Sequence, residues 1–145
     1  MKNLIIREYS IEDYDSLIKL WNLSELPYKP RGRDKKENIT QEIKQKKSFF
    51  LLMELEGELI GSILATHDGR KGWINRLAIL PEYRKSGFAT KLIKEAENKL
   101  INAGIGIIAC LIEDWNTSSM KFFKKSGYKS HIDIIYFTKR IHEDI

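Results

Sequence analysis

Residues 77–92 read LAILPEYRKSGFATKL. An apolar run ends at Leu80, Pro81 follows, and two cations, a hydroxyl and a glycine lead into a new pattern. From Gly87 the apolar spacing is helical: Ala89, Leu92, Ile93, Ala96 and Leu100 share one face. The stretch therefore hands a strand over to a helix. A helix N-terminus carries unpaired N–H groups and the positive end of the helix dipole, so it suits an anion. Gly87 lets a ligand approach the backbone, and Ala89 keeps the next turn lean. Arg84 and Lys85 add charge, while Ser86 and Thr90 add hydroxyl donors. The phosphate-binding pattern GxxxxGK followed by Ser or Thr is absent, as is the dinucleotide pattern GxGxxG.

The elements around this junction alternate. Leu4-Ile5-Ile6 reads as a short strand, and Ser10 can cap a helix bearing Tyr14, Leu17, Ile18 and Trp21 at helical spacing. Residues 24–33 contain two prolines and a glycine and read as a loop; a weaker helix follows at about Ile39 to Gln45. Residues 48–55 and 58–66 flank Glu56-Gly57 as a β-hairpin, and residues 68–72 turn into a third strand at 73–80. Gly104 stops the helix that began at Gly87. Ile105 to Ile112 is apolar throughout, as in a strand covered on both faces. Asn116 can cap a helix that Gly127 ends, and Ile132 to Thr138 reads as a last strand. The order β-α-α-β-β-β-α-β-α-β predicts a mixed α/β (α+β) fold, one sheet with helices on both faces.

Composition narrows the function classes. The chain has 145 residues, 42% of them hydrophobic, which suits a single domain spanning 1–145. No apolar run approaches the roughly 20 residues of a membrane span, and the N-terminus does not read as a signal peptide. One cysteine, Cys110, and three histidines present no disulfide and no metal-ligand spacing. A cytoplasmic protein that binds no metal and no membrane is the expectation. The net charge of +5 is mild. Its basic residues are not interleaved with an aromatic platform, which argues against nucleic acid as a partner. The cations of residues 29–36 and 44–47 are the local excesses.

Arg84-x-x-Gly87-x-Ala89, placed after Leu77-Ala78-Ile79 and Pro81, resembles motif A of the GNAT N-acetyltransferases, whose pattern is Arg/Gln-x-x-Gly-x-Gly/Ala. Asn116, eleven residues before the pair Gly127-Tyr128, is similar to the family's second landmark. The element order fits over nearly the whole chain, and the overall likeness is to small bacterial members. The resemblance implies a central sheet of about six to seven strands with splayed central parallel strands. It implies acetyl-CoA as cosubstrate, with the pyrophosphate on the backbone of Lys85, Ser86, Gly87, Phe88, Ala89 and Thr90. Arg84 belongs to the same motif. Leu77, Ala78 and Ile79 would line the pantetheine arm, and Asn116 would bond it or order the splay between strands 77–80 and 105–112. The reaction implied is acetyl transfer to a primary amine, of a small molecule or of a peptide or protein, by direct attack in a ternary complex. A backbone N–H near Leu77 or Ala78 would polarise the thioester carbonyl. The acting unit would be a monomer or homodimer.

The likeness stops at the proton carriers. The family's usual acid, a tyrosine seven residues after the asparagine, is Phe123 here, and two usual glutamate positions hold Leu111 and Asn75. Glu113, Asp68 and Tyr128 are substitute candidates, with His67 and Ser119 behind them. Each also has an ordinary role as a turn residue, packed aromatic or surface group. Cys110 reads as core. The loop Leu23 to Asn38 and the last strand would form the acceptor site. Its cations Lys29, Arg31, Arg33, Lys35 and Lys36 would repel a polyamine and suit an acceptor carrying carboxylate or phosphate. A non-catalytic acyl-CoA-binding or regulatory module on the same fold is the alternative.

Overall fold

The computed structural model describes residues 3–143; the outermost residues of the expected 1–145 unit lie outside that range. Five strands form one sheet in sequence order: β1 (Leu4–Glu8), β2 (Ser48–Leu55), β3 (Glu58–His67), β4 (Gly72–Ile79) and β5 (Ile108–Ala109). The first four are antiparallel neighbours and β4 pairs β5 in parallel. Helices α1 (Tyr14–Leu23) and α2 (Lys36–Ile43) connect β1 to β2. Helix α3 (Phe88–Asn102) connects β4 to β5, and α4 (Thr117–Lys125) follows β5.

Side-chain alternation along the hairpin divides the core between the two faces. Trp21 on α1 is fully buried and stacks on Phe50 of β2 at 6.2 Å, and its indole donates to Ser62 of β3. The opposite face takes α3, whose Leu92, Ile93, Ala96 and Leu100 are buried as their spacing predicts. Gly72 belongs to this second contact. A Cβ there would lie 2.9 Å from Leu100 Cδ1, so glycine lets α3 close down where β4 and β5 pair without moving that side chain.

Ser10 does serve a helix start, at one remove. It caps a single 3-10 turn, Ile11–Asp13, with Asp13 completing a capping box, and α1 continues from it. Arg7 on β1 holds Asp13 with two bonds of 2.8 Å and reaches Glu54 on β2 at 2.9 Å. One guanidinium thus ties strand, turn and neighbouring strand together.

The C-terminal third corrects two expectations. Only Ile108 and Ala109 of the apolar run 105–112 form a strand, and Ile107 and Leu111 are exposed. Residues 132–138 form no strand, and Ile132 is 98% exposed. The sheet therefore has five strands among the described residues, below the six to seven expected. Both segments have strand-like composition, but composition supplies no hydrogen-bonding partner. Beyond Trp73 the edge of β4 diverges from β5, and among the described residues no strand lies outside β5 to extend it.

The bonds from Arg7 hold the Asp13 carboxyl below its ordinary pKa. A lowered acid pKa contributes stability above the unfolded value and loses it as pH falls through the folded one. Arg7→Gln should lower unfolding free energy by about 1 kcal/mol near neutrality, allowing for solvent screening. The difference from wild type should shrink below about pH 4, the ordinary aspartate range. Urea titrations across the acid range check both expectations.

Candidate active site

The strand-to-helix junction predicted at residues 80–88 is present. After β4, Pro81–Tyr83 form a 3-10 turn, and α3 starts behind Gly87. Lys85 and Gly87 both adopt left-handed backbone, with φ of 64° and 81°, and Ser86 between them does not. Such alternation turns successive N–H groups into a shared concavity that attracts anions. Among the described residues, no N–H from Lys85 to Thr90 donates to a protein acceptor; the ladder of α3 begins at Lys91, which bonds Gly87. Six consecutive amides are thus available at the positive end of a 15-residue helix. The side chains of Lys85, Ser86 and Thr90 are exposed around them, and Phe88 and Ala89 are half-buried beneath. Arg84 is engaged elsewhere. Its Nε donates to the Ile79 carbonyl at 3.0 Å and a terminal nitrogen donates to that of Ser24 at 3.2 Å, tying the end of β4 to the end of α1.

β4 itself is split. It pairs with β5 at Gly72 and Trp73 alone, so from Ile74 to Ile79 its outer edge has no strand partner among the described residues. Leu77, Ala78 and Ile79 lie along this open edge, which leads to the amide concavity. The expected splay between the two parallel strands is therefore present.

Farther along β4 its pairing with β3 carries a bulge. Ser62 pairs with Ala78 and Leu64 with Asn75, so Ile63 faces both Arg76 and Leu77. Arg76 has φ of 54°, unusual for a residue with a side chain. Its carbonyl accepts from Ser62 Oγ at 2.8 Å, and the same hydroxyl accepts from Trp21 Nε1 at 3.0 Å. Its guanidinium lies over the Trp21 ring, bonds the Pro27 carbonyl and donates to Asp34 Oδ2 at 2.5 Å. Both charged side chains are nearly closed off from solvent, at 12% and 8% exposure. Burial pulls the Arg76 pKa down, and Asp34 works against that pull. Asp34 also receives the Lys29 N–H at 2.7 Å, and its carbonyl receives the Tyr14 hydroxyl. The loop between α1 and α2 is thereby seated against the bulge.

A cleft of about 300 Å³ opens beside this pair, lined by Arg33, Asp34, Glu42, Leu64, Thr66, Asn75 and Arg76. Sequence reasoning named the loop but missed Ser62, Arg76, Asp34 and Glu42. A readable signal did exist, since an arginine inside the apolar strand WINRLAI requires a buried partner.

The remaining candidates are scattered. Asn116 caps α4, accepting the Ser119 N–H at 3.2 Å. Phe123 is buried edge-on against Phe122 and Tyr128. The Tyr128 hydroxyl donates to Glu97 at 2.8 Å, and burial followed by that carboxylate pushes its pKa up. Asp68 accepts the Arg70 and Lys71 N–H groups within its turn, which hold its carboxyl below the ordinary value. His67 Nδ1 accepts the Gly69 N–H in the same turn. Glu113 is exposed. Cys110 is half-buried and its thiol is pushed up to about 11 by burial. Among the described residues there is no group of three metal-binding side chains, and no helix is long and apolar enough to cross a membrane.

Comparison with solved structures places this arrangement among known folds. The PaiA N-acetyltransferase from Thermoplasma acidophilum, crystallised with coenzyme A, superposes with a TM-score of 0.78 at 25% identity, covering 89% of this chain and 91% of that one. An aminoglycoside 6'-N-acetyltransferase from Acinetobacter haemolyticus gives 0.78 at 21% identity, covering 95% and 99%. Glucosamine-6-phosphate N-acetyltransferase from Arabidopsis thaliana gives 0.73 at 15%, covering 97% and 99%. The fold, with its open central strand, is that of the N-acetyltransferases. The sequence model of the acetyltransferase (GNAT) family matches residues 14–128, and the chain belongs to that family.

Ser62→Ala should leave the Trp21 indole and the Arg76 carbonyl without their partner in the core. The expected cost is about 2 kcal/mol, read as a lower urea midpoint at unchanged slope. Arg76→Met should cost more, about 3–5 kcal/mol, because it leaves Asp34 buried without its cation.

Proposed function

We propose that the protein is an acetyl-CoA-dependent N-acetyltransferase acting on a primary amine. The observation that carries this reading is the row of six free amides, Lys85 to Thr90, beside the unpaired edge of β4. The amides take the pyrophosphate of acetyl-CoA, with Lys85 adding charge at the rim. Leu77, Ala78 and Ile79 line the pantetheine arm, which fills the gap a longer β5 would occupy. Arg84 acts as a brace for this edge rather than as a direct phosphate ligand. Asn116 keeps α4 in register behind the gap.

The chemistry is direct attack in a ternary complex. The amine nitrogen forms a bond to the thioester carbon, the carbon–sulfur bond breaks, and coenzyme A leaves as thiolate. A main-chain N–H at Leu77 or Ala78 stabilises the oxyanion. Bringing both substrates to one bulged strand supplies much of the acceleration. Tyr128 is poorly suited as acid while its hydroxyl serves Glu97, and Asp68 is poorly suited as base with its carboxyl held ionised in a turn. Glu113 is free of such ties and exposed to solvent. The nitrogen gives up its proton to water, and the departing thiolate takes one from water in turn.

Binding of an acyl-CoA without turnover is the second reading, favoured by the burial of Phe123 where the family's usual acid stands. One experiment separates the two. Acetyl-CoA and CoA should each raise Tm at submillimolar concentration, and acetyl-CoA should be consumed with an amine present. Stabilisation without consumption across a broad amine panel supports the binding module, and no stabilisation at millimolar nucleotide removes both readings. Gly87→Ala should fold, because its Cβ meets nothing within 4 Å. It should lose about 1 kcal/mol to the left-handed backbone and bind CoA more weakly.

A further inference from the structure

Two clefts meet at Glu42. The inner one, about 300 Å³, reaches the β4 bulge at Asn75 and Arg76. The outer one, about 530 Å³, is rimmed by Arg31, Arg33 and Lys35. Glu42 and Arg33 line both.

The charges in this passage are not matched internally. Asp34 is taken by Arg76 at 2.5 Å, with Arg33 a distant 3.9 Å away. Glu42 is half-buried on α2, and its carboxylate has no hydrogen bond or ion pair among the described residues. Burial, and then the neighbouring Asp34, hold its carboxyl above the ordinary value; Arg76 opposes them. A half-buried carboxylate without a partner is stabilised by an arriving cation. The outer rim has the opposite need, with three cations and no carboxylate besides Glu42.

We propose that Glu42 receives the acceptor's ammonium group beside the β4 bulge, and that the acceptor is a small primary amine carrying an anionic group held at Arg31, Arg33 and Lys35. This rests on the N-acetyltransferase reading and specifies its acceptor. Glu42 takes a proton from the bound ammonium, leaving a neutral amine. That amine attacks the thioester carbon, the C–S bond breaks, and the nitrogen's second proton passes through water to the thiolate. Glu42 then releases its proton to solvent. The sum is ammonium plus thioester giving amide, thiol and one proton.

The test uses matched acceptors at saturating acetyl-CoA: glucosamine 6-phosphate against glucosamine, phosphoethanolamine against ethanolamine, leucine against leucinamide, with spermidine as a polycation. Wild type should favour the anionic member of at least one pair by about tenfold or more in kcat/KM. The phosphate and carboxylate pairs tell which anion is read. Glu42→Gln should lower kcat/KM for that acceptor by at least about tenfold, while the CoA-induced rise in Tm stays unchanged. Its acidic limb, set in wild type by Glu42 among Asp34, Arg33, Arg76, Lys35 and His142, should flatten. The double variant Arg31→Gln, Arg33→Gln should erase the preference for the anionic member. Equal or better use of neutral amines or spermidine overturns the proposal, as does a Glu42→Gln variant within twofold of wild type. No transfer to any anionic acceptor while CoA still raises Tm also overturns it and leaves donor binding standing. Absence of the CoA effect itself overturns the donor reading instead.

Discussion

Arg76 sits where every part of the site meets. Its left-handed backbone forms the bulge of β4 against β3, a conformation costing about 1–2 kcal/mol for a residue with a side chain. The bend persists because its neighbours over-determine it. Ser62 holds the carbonyl, Trp21 lies beneath the guanidinium, and Pro27 and Asp34 take its N–H groups. The contacts reach α1, β3 and the loop before α2 from one residue. Without them the bulge would have no reason to stay at 76–77.

The same residue couples the two halves of the site. Its main chain shapes the open edge that runs to the amides of 85–90. Its side chain seats Asp34 and so sets the wall of the cleft under α2. The proposed donor and acceptor thus approach a single strand from two directions, and the register between them is set by a buried ion pair and one hydroxyl. A carboxylate and a guanidinium taken out of water are costly unless well paired, and breaking such a pair is costlier still. The pair therefore serves to specify geometry more than to add stability.

Much of the fold was legible because local pattern and tertiary role agree. The face Leu92, Ile93, Ala96 and Leu100 reads as helical and packs as helical. The hairpin turns where Gly57 was expected to place it, with Glu56 and Gly57 both left-handed. Residues 105–112 and 132–138 misled because β-branched content records what a segment can pair with, and pairing depends on an available edge. The amide concavity was readable from Gly87 and the helix behind it. The cleft was not, since Glu42, Thr66, Asn75 and Arg76 come from three elements and no spacing along the chain joins them. The ties of Tyr128 to Glu97 and of Asp68 to its own turn were likewise hidden, being set by where the chain returns.

The amide row is made of main chain, whereas the cleft is made of side chains. The two halves consequently answer to different kinds of change. Lys85, Ser86 and Thr90 can be exchanged for many residues with their N–H groups left in place, so long as the backbone keeps its turn. Every exchange at Arg33, Glu42, Thr66 or Asn75 alters what the cleft offers. A lineage of such chains could therefore wander widely in the amines it recognises while its nucleotide partner stays the same. The boundary between the inherited half and the adjustable half would run through the bulge at Arg76.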